Sequence, residues 1–412
     1  MRTLLLLTHS FPFGEGEEFL SSELRCVSGF DRILVVPCSR KPGSVRTKDL
    51  PEGVSCLQIP RVPFGRGAYF LVLFRPCVQA ELLRLLWKGR FRPDRAHELL
   101  YFWKNAEEIF SALKRAVSFA PGDGVVIYSY WLYDAAAAGA MLAGYLRKMG
   151  VAVLQISRAH GFDVYAERSK TNYLPMRPYL FHRIDRIFPC SEDGARTLRR
   201  EAGGEAGKIR RAYLGTGDLG FGMPSREPLH LVSCSYLVPV KRLDLLVGAL
   251  KQADFPVVWT HIGSGPLEGK IRALAEGLPR SVKAEFPGAM ENHAVLEYYK
   301  THRVSAFVNV SGSEGIPVTV MEACSFGIPV VATDVGGTKE IVKNGENGFL
   351  IPKDFSPEKL LDVLRNLARM EEAQYGKLCA NARRIWMEKF DAEKNYRKFY
   401  GELSELSERS GV

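Results

Sequence analysis

Short apolar runs, each followed by a glycine-rich loop and then a stretch with helical spacing, recur along the chain. Nine of them read as strands: residues 4–8, 32–37, 125–129, 151–156, 184–189, 229–235, 257–262, 304–309 and 330–332. The runs are continuous rather than alternating, the pattern of strands buried on both faces of a parallel sheet. Helical stretches between them imply βαβ units and an α/β class. Residues 66–118 break the rhythm and predict two or three helices rich in aromatics, including Tyr69, Phe70, Phe74, Trp87 and Trp103. Residues 381–406 predict one long charged helix.

Residues 215–228 have the Gly, Pro and polar composition of a linker. The expected architecture is therefore two doubly wound, Rossmann-like parallel-sheet domains facing each other across a cleft. The first spans residues 1–222 and takes back a C-terminal helix, 385–412. The second spans 223–384. Ligands of such sheets bind at the carboxyl ends of the strands.

Composition narrows the picture only a little. The 412 residues suit two domains, and the net charge of +10 suits an anionic partner without naming it. That charge is uneven: residues 61–120 hold eleven Lys/Arg against five Asp/Glu, a net of +6. This segment is either an insertion with a solvated basic face or a surface that docks on anionic lipid. No nucleic-acid motif accompanies it, so nucleic acid is not an expected partner. The first apolar run ends at His9 and Ser10, too short for an export signal, and no run is long enough to cross a bilayer. Eight cysteines without CxxC or zinc spacing read as reduced core thiols. The expected location is cytoplasmic, peripheral on the inner membrane face if the basic segment docks.

Candidate chemistry lies in the loops after strands. Glu314 precedes a helix expected to begin near Pro317, whose first N–H groups and dipole favour phosphate. Glu322 falls inside that helix, within reach of a ribose hydroxyl. Each alone is more simply a cap or a solvated charge; their spacing around one loop favours function. Lys241 follows strand 229–235 and is placed for a diphosphate, or is an ordinary surface lysine. Gly263 and Gly265 make a tight turn after strand 257–262, but Glu268 stands where a dinucleotide fingerprint has its third glycine. Gly14 and Gly16 let backbone approach a ligand after the first strand, or form a plain βα loop. His160 follows strand 151–156 and is either a site residue or a structural histidine. DxD, GxSxG, HExxH and the P-loop are absent, so no metal is expected.

Taken together, these segments resemble the retaining glycosyltransferase family 4, of GT-B architecture. The carriers are SYLVPVKRLDLLVGAL (235–250), HIGSGPLEGKI (261–271), FPGAMENHAVLEYY (286–299) and SEGIPVTVMEACSFGIPVVATDVGGTKEIVKNGENGFLI (313–351), with Glu314 and Glu322 as its E-x7-E pair. SFPFGEGEEFLSSEL (10–24) and RAHGFDVY (158–165) are similar to members that build bacterial surface polysaccharides, and RRIWMEKFDAEKNYRKFY (383–400) to the family's terminal helix. The resemblance implies sugar transfer from a nucleotide-diphosphate donor to a saccharide or lipid-linked acceptor, with no cofactor. It implies that Lys241 binds the diphosphate, Glu314 the sugar hydroxyls and Glu322 the ribose. Backbone of Gly315, Ile316, Pro317, Val318 and Thr319 would meet phosphate and sugar, and Ala289 and Met290 the base. His160 would lie near the sugar and acceptor, with Gly14 and Gly16 bordering the diphosphate.

One departure stands out. The family commonly has Gly-Arg where this chain has Ser235-Tyr236, and Tyr236 carries no charge. A non-catalytic sugar-nucleotide-binding partner of another transferase is therefore the alternative from a different class. A GT-B epimerase, or a phosphorylase with its phosphate or pyridoxal site, is the alternative among enzymes.

Overall fold

The computed structural model describes residues 1–14, 17–39, 43–65 and 67–412. The chain divides into two compact units, Met1–Tyr213 with Tyr396–Val412, and Leu214–Asn395. The first unit is built on β1 (Arg2–Thr8), β2 (Arg32–Pro37), β3 (Val54–Cys56), β4 (Gly124–Ser129), β5 (Ala152–Ala159) and β6 (Arg186–Pro189). They form one parallel sheet in the order β3-β2-β1-β4-β5-β6. The second unit contains β7 (Leu229–Cys234), β8 (Val257–Ile262), β9 (Val282–Gly288), β10 (Ala306–Asn309), β11 (Val330–Thr333) and β12 (Gly348–Ile351). Its parallel sheet runs β12-β11-β10-β7-β8-β9. In both, the first strand in sequence lies in the middle and the order reverses beside it. The resulting switch points, β1/β4 and β7/β10, are where an open parallel sheet leaves a crevice at its carboxyl edge.

The continuous apolar runs follow from burial on both faces. In β1, Leu4 and Leu6 pack with Leu20, Phe399 and Leu403, while Leu5 and Leu7 pack with Ile109, Leu113 and Leu142. The core of the second unit gathers Leu231, Trp259, Val308 and Val331 against Leu246, Leu360 and Leu364.

All nine expected strands are present. The other three, β3, β9 and β12, are sheet edges, where one flank and part of each face stay open; in β9 only Val282 is buried. Residues 66–118 contain three helices, Ala68–Leu73, Pro76–Trp87 and Pro93–Ala116. The single C-terminal helix is corrected to two, Glu372–Lys389 and Ala392–Arg409. The break comes because the Asp391 carboxylate accepts from the Lys394 N–H at 3.0 Å, starting a new helix where the old one ends.

The unit borders also differ from the expected 222/223 and 384/385. Arg210 and Ala212 still donate backbone hydrogen bonds to Ile187 and Pro189 of β6, which keeps them in the first unit. From Thr216 on, the chain pairs with Phe390–Ala392 of the second. The C-terminal helix re-enters the first unit at Tyr396. There a buried cluster holds it: the Tyr400 hydroxyl lies 3.3 Å and the Tyr128 hydroxyl 2.7 Å from Glu23 Oε1. Arg158 Nε sits 2.7 Å from the Tyr128 hydroxyl and 3.5 Å from Glu23 Oε2, with its guanidinium over the Phe399 ring.

Candidate active site

The β7/β10 switch point brings a lysine and a glutamate of the second unit together. β7 runs into the loop carrying Tyr236 and a single 3-10 turn, Pro239–Lys241, while β10 runs into the loop carrying Glu314. Lys241 Nζ donates to Glu314 Oε1 at 2.7 Å, and Asn309 Nδ2 approaches the same oxygen at 3.3 Å. Glu314 is buried. Burial pushes its carboxyl up, but the Lys241 ammonium, together with hydrogen bonds from Lys241 and Asn309, more than reverses this and leaves it below the ordinary range. Glu314 is therefore held ionised beside a cation in a site shielded from water.

The helix Val318–Ser325 starts immediately after Pro317, which occupies the cap position. Its first N–H groups have no partner within the helix, so Val318 and Thr319 present donor groups next to the ion pair. Glu322 lies one turn further in and is buried. Asn292 Nδ2 donates to its Oε1 at 2.7 Å. That one hydrogen bond does not offset burial, which pushes the Glu322 carboxyl up to about 7. Ala289 and Met290 occupy the loop between β9 and the helix Asn292–Thr301, on the same edge as Asn292.

Glycines shape the floor. Gly263 has φ +144°, and a Cβ there would overlap the Ser235 carbonyl oxygen, so the β8 turn lies directly on the loop after β7. Gly336 has φ +51°, and a Cβ would overlap the carbonyl oxygen of Glu314. The Gly337 N–H donates to Gly315 O at 2.8 Å, so the loop after β11 clamps the Glu314 loop, with Ile316 buried beneath. Tyr236 is 61% exposed. The neighbouring Arg242 does not take the place of the missing arginine: its guanidinium donates to the carbonyls of Val310 and Ser311 at 2.9 and 3.2 Å.

His160 and Gly14 belong to the first unit, and Gly16 lies outside the described residues. The His160 ring is wedged between Tyr130 and Trp131, with centroids at 4.6 and 4.5 Å. Both ring nitrogens are buried without a hydrogen-bond partner among the described residues. Burial, helped by the Arg158 charge, drives the imidazole down to about 3. It is a neutral group with one donor and one acceptor unused. The buried Asp163 carboxylate accepts from the N–H groups of His160, Gly161 and Leu132 and fixes that loop. Glu17 does the same after β1, accepting from the N–H groups of His9, Ser10 and Phe11 and from Trp131 Nε1. Between these loops, at the carboxyl ends of β1, β2 and β4, opens a pocket of about 550 Å³ lined by Ser10, Arg61, Tyr101, Trp131, Tyr133 and Phe162 among others.

The second unit thus brings together Lys241, Glu314, Glu322, Gly263 and residues 315–319 as the sequence suggested. Sequence reasoning missed Asn292, Asn309, Gly336, Glu17 and Asp163. A glycine pair at 336–337 was visible in the sequence, but what it clamps was not. For the two carboxylates, nothing in their spacing distinguished a loop anchor from a surface charge.

Comparison with known proteins bears on the same region. Residues 224–384 match the family of glycosyl transferases group 1. WcaL of Salmonella typhimurium, whose name assigns it to colanic acid biosynthesis as a glycosyltransferase, is 31% identical over 224 residues, covering 52% of this chain and 55% of its own. The amylovoran biosynthesis glycosyltransferase AmsK of Erwinia amylovora is 29% identical over 280 residues, 65% of this chain and 67% of its own. The first-matched relative is therefore spanned over only about half its length. The Anabaena protein Alr3699/HepE, solved in complex with UDP and glucose, superposes on 98% of this chain and all of its own with a TM-score of 0.66 at 18% identity. The fold is GT-B, two Rossmann-like units on parallel sheets.

Proposed function

We propose that the chain is a retaining glycosyltransferase that moves a sugar from a nucleotide-diphosphate donor to an acceptor hydroxyl, in the synthesis of a cell-surface polysaccharide or glycolipid. The observation that carries this reading is the 2.7 Å Lys241–Glu314 pair at the β7/β10 switch point, next to the start of a helix. The bond between the anomeric carbon and the diphosphate oxygen breaks as the diphosphate gains charge. Lys241 and the N–H groups of Gly315, Ile316, Val318 and Thr319 neutralise that charge without a metal ion. Glu314 receives the sugar hydroxyls, and Glu322 the ribose. The acceptor oxygen bonds to the anomeric carbon on the face the diphosphate leaves, and its proton passes to a diphosphate oxygen, so no separate base is needed. His160, neutral at every working pH, serves as a hydrogen-bonding group for sugar or acceptor. The pocket lined by Trp131, Tyr133 and Phe162 suits a saccharide acceptor, whose apolar ring faces pack on aromatics. The names of WcaL and AmsK support a polysaccharide product.

The test is transfer from sugar nucleotides by the purified chain, with and without a chelator. Glu314→Ala and Lys241→Ala should each lose about a hundredfold or more in kcat, and full activity in either variant overturns these roles. The exposed Tyr236 and the inward-turned Arg242 favour one other reading, a sugar-nucleotide-binding partner without activity. It predicts donor binding with no turnover for any acceptor.

A further inference from the structure

The pocket lined by Trp131, Tyr133 and Phe162 does not end at those residues. A second pocket of the first unit, of about 740 Å³, adjoins it and shares Tyr101, Tyr133 and Phe162 with it. The shared wall comes from three elements: Tyr133 from the loop after β4, Phe162 from the loop after β5, and Tyr101 from the helix Pro93–Ala116. Phe162 is 44% and Tyr101 48% exposed. The Phe162 ring centroid lies 4.9 Å from that of Trp131 and 5.9 Å from that of Tyr133. Apolar ring faces are thus available along the passage from one pocket to the other. Either pocket alone has the size of a site for a compact organic ligand, more space than one sugar ring fills.

Glu98, on the same helix, organises the far wall of the second pocket. Its carboxylate accepts from the Tyr133 hydroxyl at 3.3 Å, from Ser169 Oγ at 3.3 Å and from Thr171 Oγ1. Burial, and then the Glu98 charge, push the Tyr133 phenol above its ordinary range, so it stays a donor. With their protons directed at Glu98, the Tyr133 and Thr171 oxygens are left with lone pairs. Such a wall favours a ligand that brings its own donors and an apolar face, which is the chemistry of a sugar ring. The wall is also fixed in place. Arg95, itself buried, donates from Nε to Thr171 O at 2.9 Å, and the Thr171 N–H donates to Ser169 Oγ at 3.3 Å. A site held in advance loses little freedom when a ligand arrives.

We propose that the two pockets form one groove for an acceptor of at least two sugar units, with the terminal unit beside Trp131 and the next one against Tyr133, Ser169 and Thr171. Glu98 is then a positioning residue, which sets acceptor length by aiming the hydroxyls that touch the second unit. Which end of the saccharide reacts rests on the transferase reading, but its binding can be measured without a donor. The experiment is saturation-transfer NMR of the full chain with methyl glycosides of glucose and galactose and with their α- and β-linked di- and trisaccharides. At least one disaccharide should bind about tenfold more tightly than its monosaccharide, the gain of one or two hydrogen bonds. Thr171→Val and Glu98→Gln should each remove most of that gain and leave monosaccharide affinity unchanged. A merely structural Glu98 would weaken both ligands together. Retained monosaccharide binding identifies a variant as folded, and Thr171→Val serves alone if Glu98→Gln does not fold. Equal affinity for one and two units, equal loss of both in the variants, or no saccharide binding overturns the proposal. A length preference that survives while no nucleotide donor binds would count against the transferase reading and not against the groove.

Discussion

Replacing Glu322 by Gln isolates the effect of one buried carboxyl. Burial moves it from its ordinary 4.5 to about 7. At about 1.4 kcal/mol per pH unit, ionising it in the folded chain costs up to about 3 kcal/mol more than in the unfolded one. Between those two values the folded chain keeps a proton that the unfolded chain has released, so stability falls as pH rises through that window. The amide of Glu322→Gln can still accept from Asn292 but does not titrate. The two proteins should therefore be nearly equal at about pH 5 and diverge toward about pH 8, with the variant the more stable. For a unit of this size the gap corresponds to roughly 6–12 °C in the melting midpoint at most. The assay is the thermal midpoint of wild type and Glu322→Gln across that pH range, followed by tryptophan fluorescence, since Trp259 and Trp386 are both buried in the second unit. Parallel curves would refute the reasoning, because they would mean that Glu322 titrates as an ordinary carboxyl. The same variant should bind a nucleoside diphosphate more weakly, since an amide cannot accept from both ribose hydroxyls.

Other perturbations follow from the packing. Arg158→Met leaves Glu23 buried without its cation and should cost roughly 3–5 kcal/mol, read as a lower melting midpoint of the first unit; a cost below 1 kcal/mol would mean that the cluster is not what holds the C-terminal helix. Gly336→Ala forces a methyl into the Glu314 carbonyl and should abolish donor binding. Gly345→Ala, also at positive φ but with open space around it, should cost only about 1–2 kcal/mol and leave binding intact. Tyr236→Arg should raise donor affinity about tenfold if its side chain faces the diphosphate, as a charge-assisted hydrogen bond would; unchanged affinity, measured by calorimetry, would remove Tyr236 from the donor site.

The fold was legible wherever a strand is buried on both faces, because burial alone writes a continuous apolar run. It was not legible in β3, β9 and β12, edge strands whose composition is set by solvent as much as by the core. The break at Asp391 escaped because one carboxylate capping a new helix looks, in sequence, like any charge on a long one. Within the candidate site, the ends of β7 and β10 could be located, and with them Lys241 and Glu314. Gly336 acts through a contact from the loop after β11 to the loop after β10, which leaves no spacing to read, and Asn309 reaches Glu314 because the loop after β10 folds back on the end of its own strand. His160 was placed correctly at the end of its strand, but its neutral state follows from Tyr130, Trp131 and burial, none of which its own neighbours in sequence reveal.

The central claim is a nucleotide-diphosphate donor held at the β7/β10 switch point. Its most direct test is a thermal-shift panel of nucleoside diphosphates and their sugars against the wild type and Lys241→Gln, which keeps a hydrogen-bond donor for Glu314 but removes the charge. One nucleotide family should raise the wild-type midpoint, since a ligand that binds only the folded state stabilises it, and the rise should collapse in Lys241→Gln. A well-folded wild type that no nucleotide shifts, or a shift that Lys241→Gln retains in full, would contradict the account.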